Sequence, residues 1–137
     1  MERTAACHCG QLRVTTTGEP ERVGICHCQA CQRRTGSLFH AGAYFTKEQV
    51  LSAGEYKTYE RDSDSGFKIR FHFCPVCGSS VFWDGDRIPE LCGVAVGAFA
   101  DPNFPPPKYS IWEESRHAWL NVPDIERFAQ GRPPART

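Results

Sequence analysis

An excess of charge of either sign is missing from this chain: 16 Lys and Arg offset 16 Asp and Glu, so the formal net charge of its 137 residues is zero. That removes the broad electrostatic footprint of a protein that grips nucleic acid or an acidic membrane with a whole face, although local basic patches stay open. Long apolar runs are missing too. The longest stretch of the second half free of charge and proline, Leu91 to Ala100, contains two glycines and falls far short of the ~20 residues of a spanning helix. Residues Met1 to Ala6 lack the apolar core of a secretory signal. The expectation is a cytoplasmic chain, in which thiols stay reduced. Walker, dinucleotide-binding and calcium-loop motifs are absent. Ser37 has no histidine and acid in a recognisable arrangement, which argues against a serine hydrolase.

Helical periodicity is also scarce, and period-two alternation takes its place, so the fold class is mostly β. Leu12, Val14 and Thr16 alternate with Arg13, Thr15 and Thr17. Val23 to Cys26, Phe39 to Phe45, Lys57 to Arg61, Phe67 to Phe73, Ser80 to Asp84, Leu91 to Ala98, Tyr109 to Glu113 and Ala118 to Val122 are strand-compatible between Gly, Pro, Asp and Ser clusters. Two short helices are expected, Gln29 to Thr35 closed by Gly36, and Pro123 to Gln130 closed by Gly131. The proline-rich run Asp101 to Pro107 reads as a loop. Length and composition predict a single domain over residues 1–137, with its core at about residues 5–122 and a frayed tail from Arg132.

A domain of this size needs no covalent staples, so its 8 cysteines require another reason. Seven of them fall in three clusters: Cys7-His8-Cys9-Gly10, Cys26-His27-Cys28-Gln29-Ala30-Cys31 and Cys74-Pro75-Val76-Cys77-Gly78. Cysteines one or two residues apart in a tight turn present both sulfurs to one tetrahedral zinc. Seven thiols cannot fill two closed four-ligand sites, so the count predicts two zinc ions per chain with one site left open. The economical partition makes Cys7, Cys9, Cys74 and Cys77 a closed structural site and leaves Cys26, Cys28 and Cys31 as an open, catalytic one. Placing Cys26 and Cys28 in the closed site satisfies the same arithmetic.

The alternative to an open site is a triplet closed by a histidine or by Cys92. His8 and His27 each stand between two cysteines and, in an extended tripeptide, point away from their neighbours' metal. His40 and His72 lie on strand-like segments without a ligand motif. Cys92, in the apolar run Leu91-Cys92-Gly93-Val94, reads as an inert buried thiol. Arg33 and Arg34 follow the open triplet directly, where a guanidinium fork can hold a substrate carboxylate; two solvated arginines on a short helix explain them equally well.

Cys7-His8-Cys9-Gly10, Cys26-His27-Cys28-x-x-Cys31 followed by Arg33, Gly36, Ser37 and Phe39, Phe73-Cys74-x-x-Cys77-Gly78, Val96-Gly97-x-x-x-Asp101-Pro102 and Ser115-x-x-x-Trp119 together resemble the glutathione-dependent formaldehyde-activating (GFA) family, which also includes centromere protein V. The likeness runs from Cys7 to Trp119. It implies a zinc-stabilised β-tent fold, a structural zinc on Cys7, Cys9, Cys74 and Cys77, and a catalytic zinc on Cys26, Cys28 and Cys31. It also implies a carbon-sulfur lyase activity, condensing glutathione and formaldehyde to S-(hydroxymethyl)glutathione. The partner is then a small molecule, glutathione or another thiol, with neither nucleic acid nor membrane involved. Two alternatives stand beside it: a related zinc enzyme for another small electrophile, and a non-enzymatic zinc interaction module.

Overall fold

The computed structural model describes residues 1–132, so the expectation of a frayed tail falls, beyond Arg132 itself, outside the described residues. In chain order the elements are β1 (Glu2–Ala6), β2 (Arg13–Thr17), β3 (Arg22–Cys26), α1 (Gln29–Thr35), β4 (His40–Thr46), β5 (Val50–Ala53), β6 (Lys57–Asp62), β7 (Lys68–Phe73), β8 (Ser80–Gly85), β9 (Leu91–Ala95), β10 (Tyr109–Ile111) and β11 (Glu126–Arg127). The fold is thus mostly β, with one α-helix among the described residues, as the alternation requires. No helix among the described residues is long and apolar enough to cross a membrane.

The chain forms two compact units. The first comprises Met1–Arg22 and Gly42–Phe104. Within it β1, β2 and β5 form a three-stranded antiparallel sheet. Leu12, Val14 and Thr16 are fully buried, so the alternation read from the sequence is the inward face of β2. The run β4-β9-β8-β7-β6 is antiparallel throughout. Phe45, Val81 and Val94 are completely buried in this unit and Trp83 nearly so, each such side chain contributing about 1.5–3 kcal/mol through removal from water. Gly93 lies opposite Trp83, and a Cβ there would stand 2.2 Å from the indole, so only glycine lets that ring lie flat on β9. The register slips between His72 and Phe73, a bulge that redirects the end of β7 just before Cys74.

Among the described residues the second unit comprises Val23–Ala41 and residues 105–132. Here β10 lies between β3 and β11, parallel to both. Tyr109 packs over Gly24, whose Cβ would fall 2.2 Å from the ring. Helix α1 has the bounds read from the sequence, ending at Gly36 in the left-handed region at φ 72°.

Two expectations are corrected here. Pro123 to Gln130 is not a helix: Asp124 adopts φ 54°, and the N–H groups of Trp112, Glu113 and Phe128 bond to Gln130 O, Phe128 O and Ser110 O. Those non-local partners outcompete the weak helix signal of a short segment. Ala118 to Val122 is not a strand but a turn closed by Leu120 N–H to His117 O. Three strands had no strand signal in the sequence: β1, β5 and β11, the last inside the segment read as a helix.

Candidate metal centres

The sulfurs of Cys7, Cys9, Cys74 and Cys77 converge in the first unit, all within 4.8 Å of one another. Cys7 follows β1 and Cys74 follows β7, and each starts a similar turn. Gly10 N–H bonds to Cys7 O at 3.1 Å and Gly78 N–H to Cys74 O at 2.8 Å, while Cys7 N–H reaches Leu12 O and Cys74 N–H reaches Ser79 O. Gly10 and Gly78 both take positive φ, 84° and 80°, the conformation that closes such turns without a Cβ penalty. The Cys7–Cys9 and Cys9–Cys74 sulfur separations are 3.6 and 3.7 Å. A tetrahedron with zinc–sulfur bonds of ~2.3 Å has edges of about 3.8 Å, whereas a disulfide needs ~2.05 Å. The set therefore fits zinc.

Donors surround these sulfurs. Leu12 N–H points at Cys7 Sγ (3.3 Å) and Val76 N–H at Cys74 Sγ (3.4 Å), while Gln11 Nε2 donates to Cys74 Sγ at 3.0 Å. The same amide is pinned by the backbone of Glu55, donating to its O (2.7 Å) and accepting from its N–H (2.9 Å). Ser79 Oγ stands 3.4 Å from Cys77 Sγ and accepts from His8 N–H. Ser79 holds the Cys77 thiol down to about 5. At Cys9 the Gln11 N–H favours the thiolate, but desolvation and then the sulfurs of Cys7, Cys74 and Cys77 outweigh it, to about 11. Four crowded thiols cannot all ionise without a cation among them.

In the second unit Cys26, Cys28 and Cys31 form a separate group of three. Cys26 ends β3, Cys28 is the N-cap of α1, and Cys31 lies in its first turn, its N–H donating to Cys28 Sγ at 3.3 Å. Cys28 and Cys31 are buried and Cys26 is half-buried. Hydrogen bonding with the other two sulfurs, then burial and their charge, drives the Cys26 thiol strongly upward. Cys31 reaches about 11: contact with Cys26 favours its thiolate, but Cys28 and burial prevail, with Arg34 opposing them. This pocket, too, favours three thiolates only around a cation.

The remaining sequence candidates are placed apart. Neither group includes a histidine. His8 is exposed, and His27 is buried with its Nδ1 unbonded. His40 is held down to about 3, chiefly by burial and then by Arg34. His72 bridges Thr58 Oγ1 (2.8 Å) and Asp84 Oδ2 (2.7 Å). Cys92 is buried in β9, and burial pushes its thiol up to about 11. Arg33 is exposed on the last turn of α1, whereas Arg34 is half-buried. Sequence reasoning missed Gln11, Ser79 and Gln32, whose partners are mostly distant in the chain.

Two thiolate groups on a mostly β scaffold define a chain able to hold zinc at two places. The family model described as "Glutathione-dependent formaldehyde-activating enzyme" matches residues 2–115, and the chain belongs to that family. Among solved structures, the fold is similar to that of a Rhodobacter sphaeroides protein, a structural-genomics target, with 22% identity and a TM-score of 0.54 over 73% of this chain and 90% of that one. Comparison with curated proteins gives no match.

Proposed function

We propose that this chain is a zinc-dependent carbon-sulfur lyase of the GFA type, cytoplasmic, acting on an adduct of glutathione or another small thiol. The observation that carries the reading is the largely buried three-sulfur group of Cys26, Cys28 and Cys31 in a chain matched by the GFA model. In the reaction a thiol sulfur adds to the carbon of formaldehyde, forming the C–S bond, and the thiol proton ends on the former carbonyl oxygen. Zinc bound by the three cysteines supplies a Lewis acid and the charge that stabilises a thiolate near neutral pH. The chain's own groups hold that site in shape. Cys28 and Cys31 are fixed by the first turn of α1, and the Arg34 guanidinium favours the ionised form of Cys31. Arg33, exposed beside it on α1, is the group we assign to a substrate carboxylate. Cys7, Cys9, Cys74 and Cys77 take the structural zinc.

The test follows exchange between glutathione and formaldehyde by NMR with and without fully metallated protein. Exchange faster than the spontaneous rate supports the reading. An unchanged rate rejects the specific activity and leaves family membership standing.

A further inference from the structure

Gln32 is the residue immediately after Cys31, and every polar group of its side chain is engaged. Its Nε2 donates to His27 O at 2.8 Å and to Ser115 O at 3.2 Å. Its Oε1 lies 3.1 Å from His117 Nε2. Two carbonyls facing one end of the amide require that end to be the NH2. The other end is then the acceptor, so His117 carries its proton on Nε2. His27 sits between Cys26 and Cys28, and its own N–H bonds to Ile111 O. The residue between two ligands is therefore held at both its backbone polar groups, the N–H by β10 and the C=O by Gln32. At the far side, His117 meets Trp119 edge-on with centroids 6.4 Å apart, and Trp119 is 75% exposed.

We propose that Gln32 is a positioning residue that ties the ligand turn Cys26-His27-Cys28 to the segment carrying His117 and Trp119, so that metal uptake by the triplet and the placement of that segment are coupled. The inference rests on reading the triplet as a metal site. It deepens that reading by naming the group that orients the site and the exposed aromatic that moves with it.

The experiment uses the full chain and the variants Gln32→Leu and Gln32→Glu. Zinc affinity of each site is measured by competition with a chromophoric chelator, and thiolate-to-metal absorption is read after cobalt substitution. The Trp119 indole N–H signal, assigned through Trp119→Phe, is followed by NMR during metal titration. Both variants are expected to weaken the triplet site by about 10- to 100-fold, to leave the four-cysteine site at its parent affinity, and to lose most of the metal-induced shift of Trp119. Gln32→Glu is nearly isosteric; it keeps the acceptor for His117 and replaces the two donors with a carboxylate oxygen facing the His27 and Ser115 carbonyls, while Gln32→Leu removes the amide without adding charge. Parent affinity together with a parent-sized Trp119 shift in either variant overturns the proposal. A Cys31→Ser control separates the two readings: if the parent takes up no more metal than this control, the metal site itself falls, whereas a normal parent with unaffected Gln32 variants sinks the coupling alone.

Discussion

The two cysteine groups differ in connectivity and in shielding, and the two properties run in opposite directions. Cys7, Cys9, Cys74 and Cys77 join the beginning of the chain to its middle, yet Cys9 is exposed and Cys77 half-buried. Cys26, Cys28 and Cys31 span a single strand-to-helix turn, yet Cys28 and Cys31 are buried. A site that closes a long loop restrains the unfolded chain, whereas a local one restrains little. Structural importance and chemical accessibility are therefore separate attributes here, and each calls for its own probe.

The largest effect is expected from breaking the long-range group. Structural zinc sites are worth apparently ~10–16 kcal/mol in small modules, comparable to or above the ~5–15 kcal/mol of a whole domain. Cys77→Ser should thus give insoluble or molten protein, while Cys31→Ser stays folded and loses one zinc, as thermal unfolding and zinc analysis on both will tell. The reverse pattern exchanges the roles of the two groups.

Next in size is a split between two reagents. A chelator should strip the triplet first, because it holds its metal through one fewer protein bond. An alkylating reagent on the metallated protein should modify Cys9 first, because it is the one exposed residue among the seven ligand candidates. Elemental analysis and peptide mass spectrometry read the two orders, and identical orders would mean that one property governs both sites.

Gln11→Leu sharpens the comparison further. It removes one donor from Cys74 Sγ and both bonds to the Glu55 backbone, at an expected cost of about 1–3 kcal/mol in denaturant unfolding, with the triplet's zinc affinity unchanged.

The smallest effect belongs to the strand that delivers Cys74. Asp84 receives Arg70 Nε and His72 Nε2, both at 2.7 Å; burial alone would raise its carboxyl, but these bonds hold it below the usual 3.8. A lowered folded value means that its stabilisation is present above pH 3.8 and is lost as pH falls through that lower value. Asp84→Asn should cost about 1 kcal/mol at neutral pH and flatten the acid limb of a stability profile. An acid limb as steep as the parent's would remove Asp84 from the account.

What the sequence made legible follows from where the information lies. The cysteine turns, α1 and the inward face of β2 are local patterns, and each is readable within a few residues. By contrast β1, Glu-Arg-Thr-Ala-Ala, has one buried residue and no branched apolar side chain, and it is a strand because β2 pairs with it. β5 is exposed at three of its four positions and exists for the same reason. The amides of Gln11 and Gln32 carried no local signal, since their partners Cys74 and Ser115 lie 63 and 83 residues away. Pro123 to Gln130 had helix-like ends, but bonds back to the 110–114 segment decided its conformation.

The sulfur of Cys28 holds two posts at once, receiving the N–H that starts α1 and belonging to the triplet. A helix of seven residues cannot repay its own nucleation in water. The first turn of α1 and the grouping of three sulfurs consequently share one atom, so a metal held by the triplet would also pin the start of the helix.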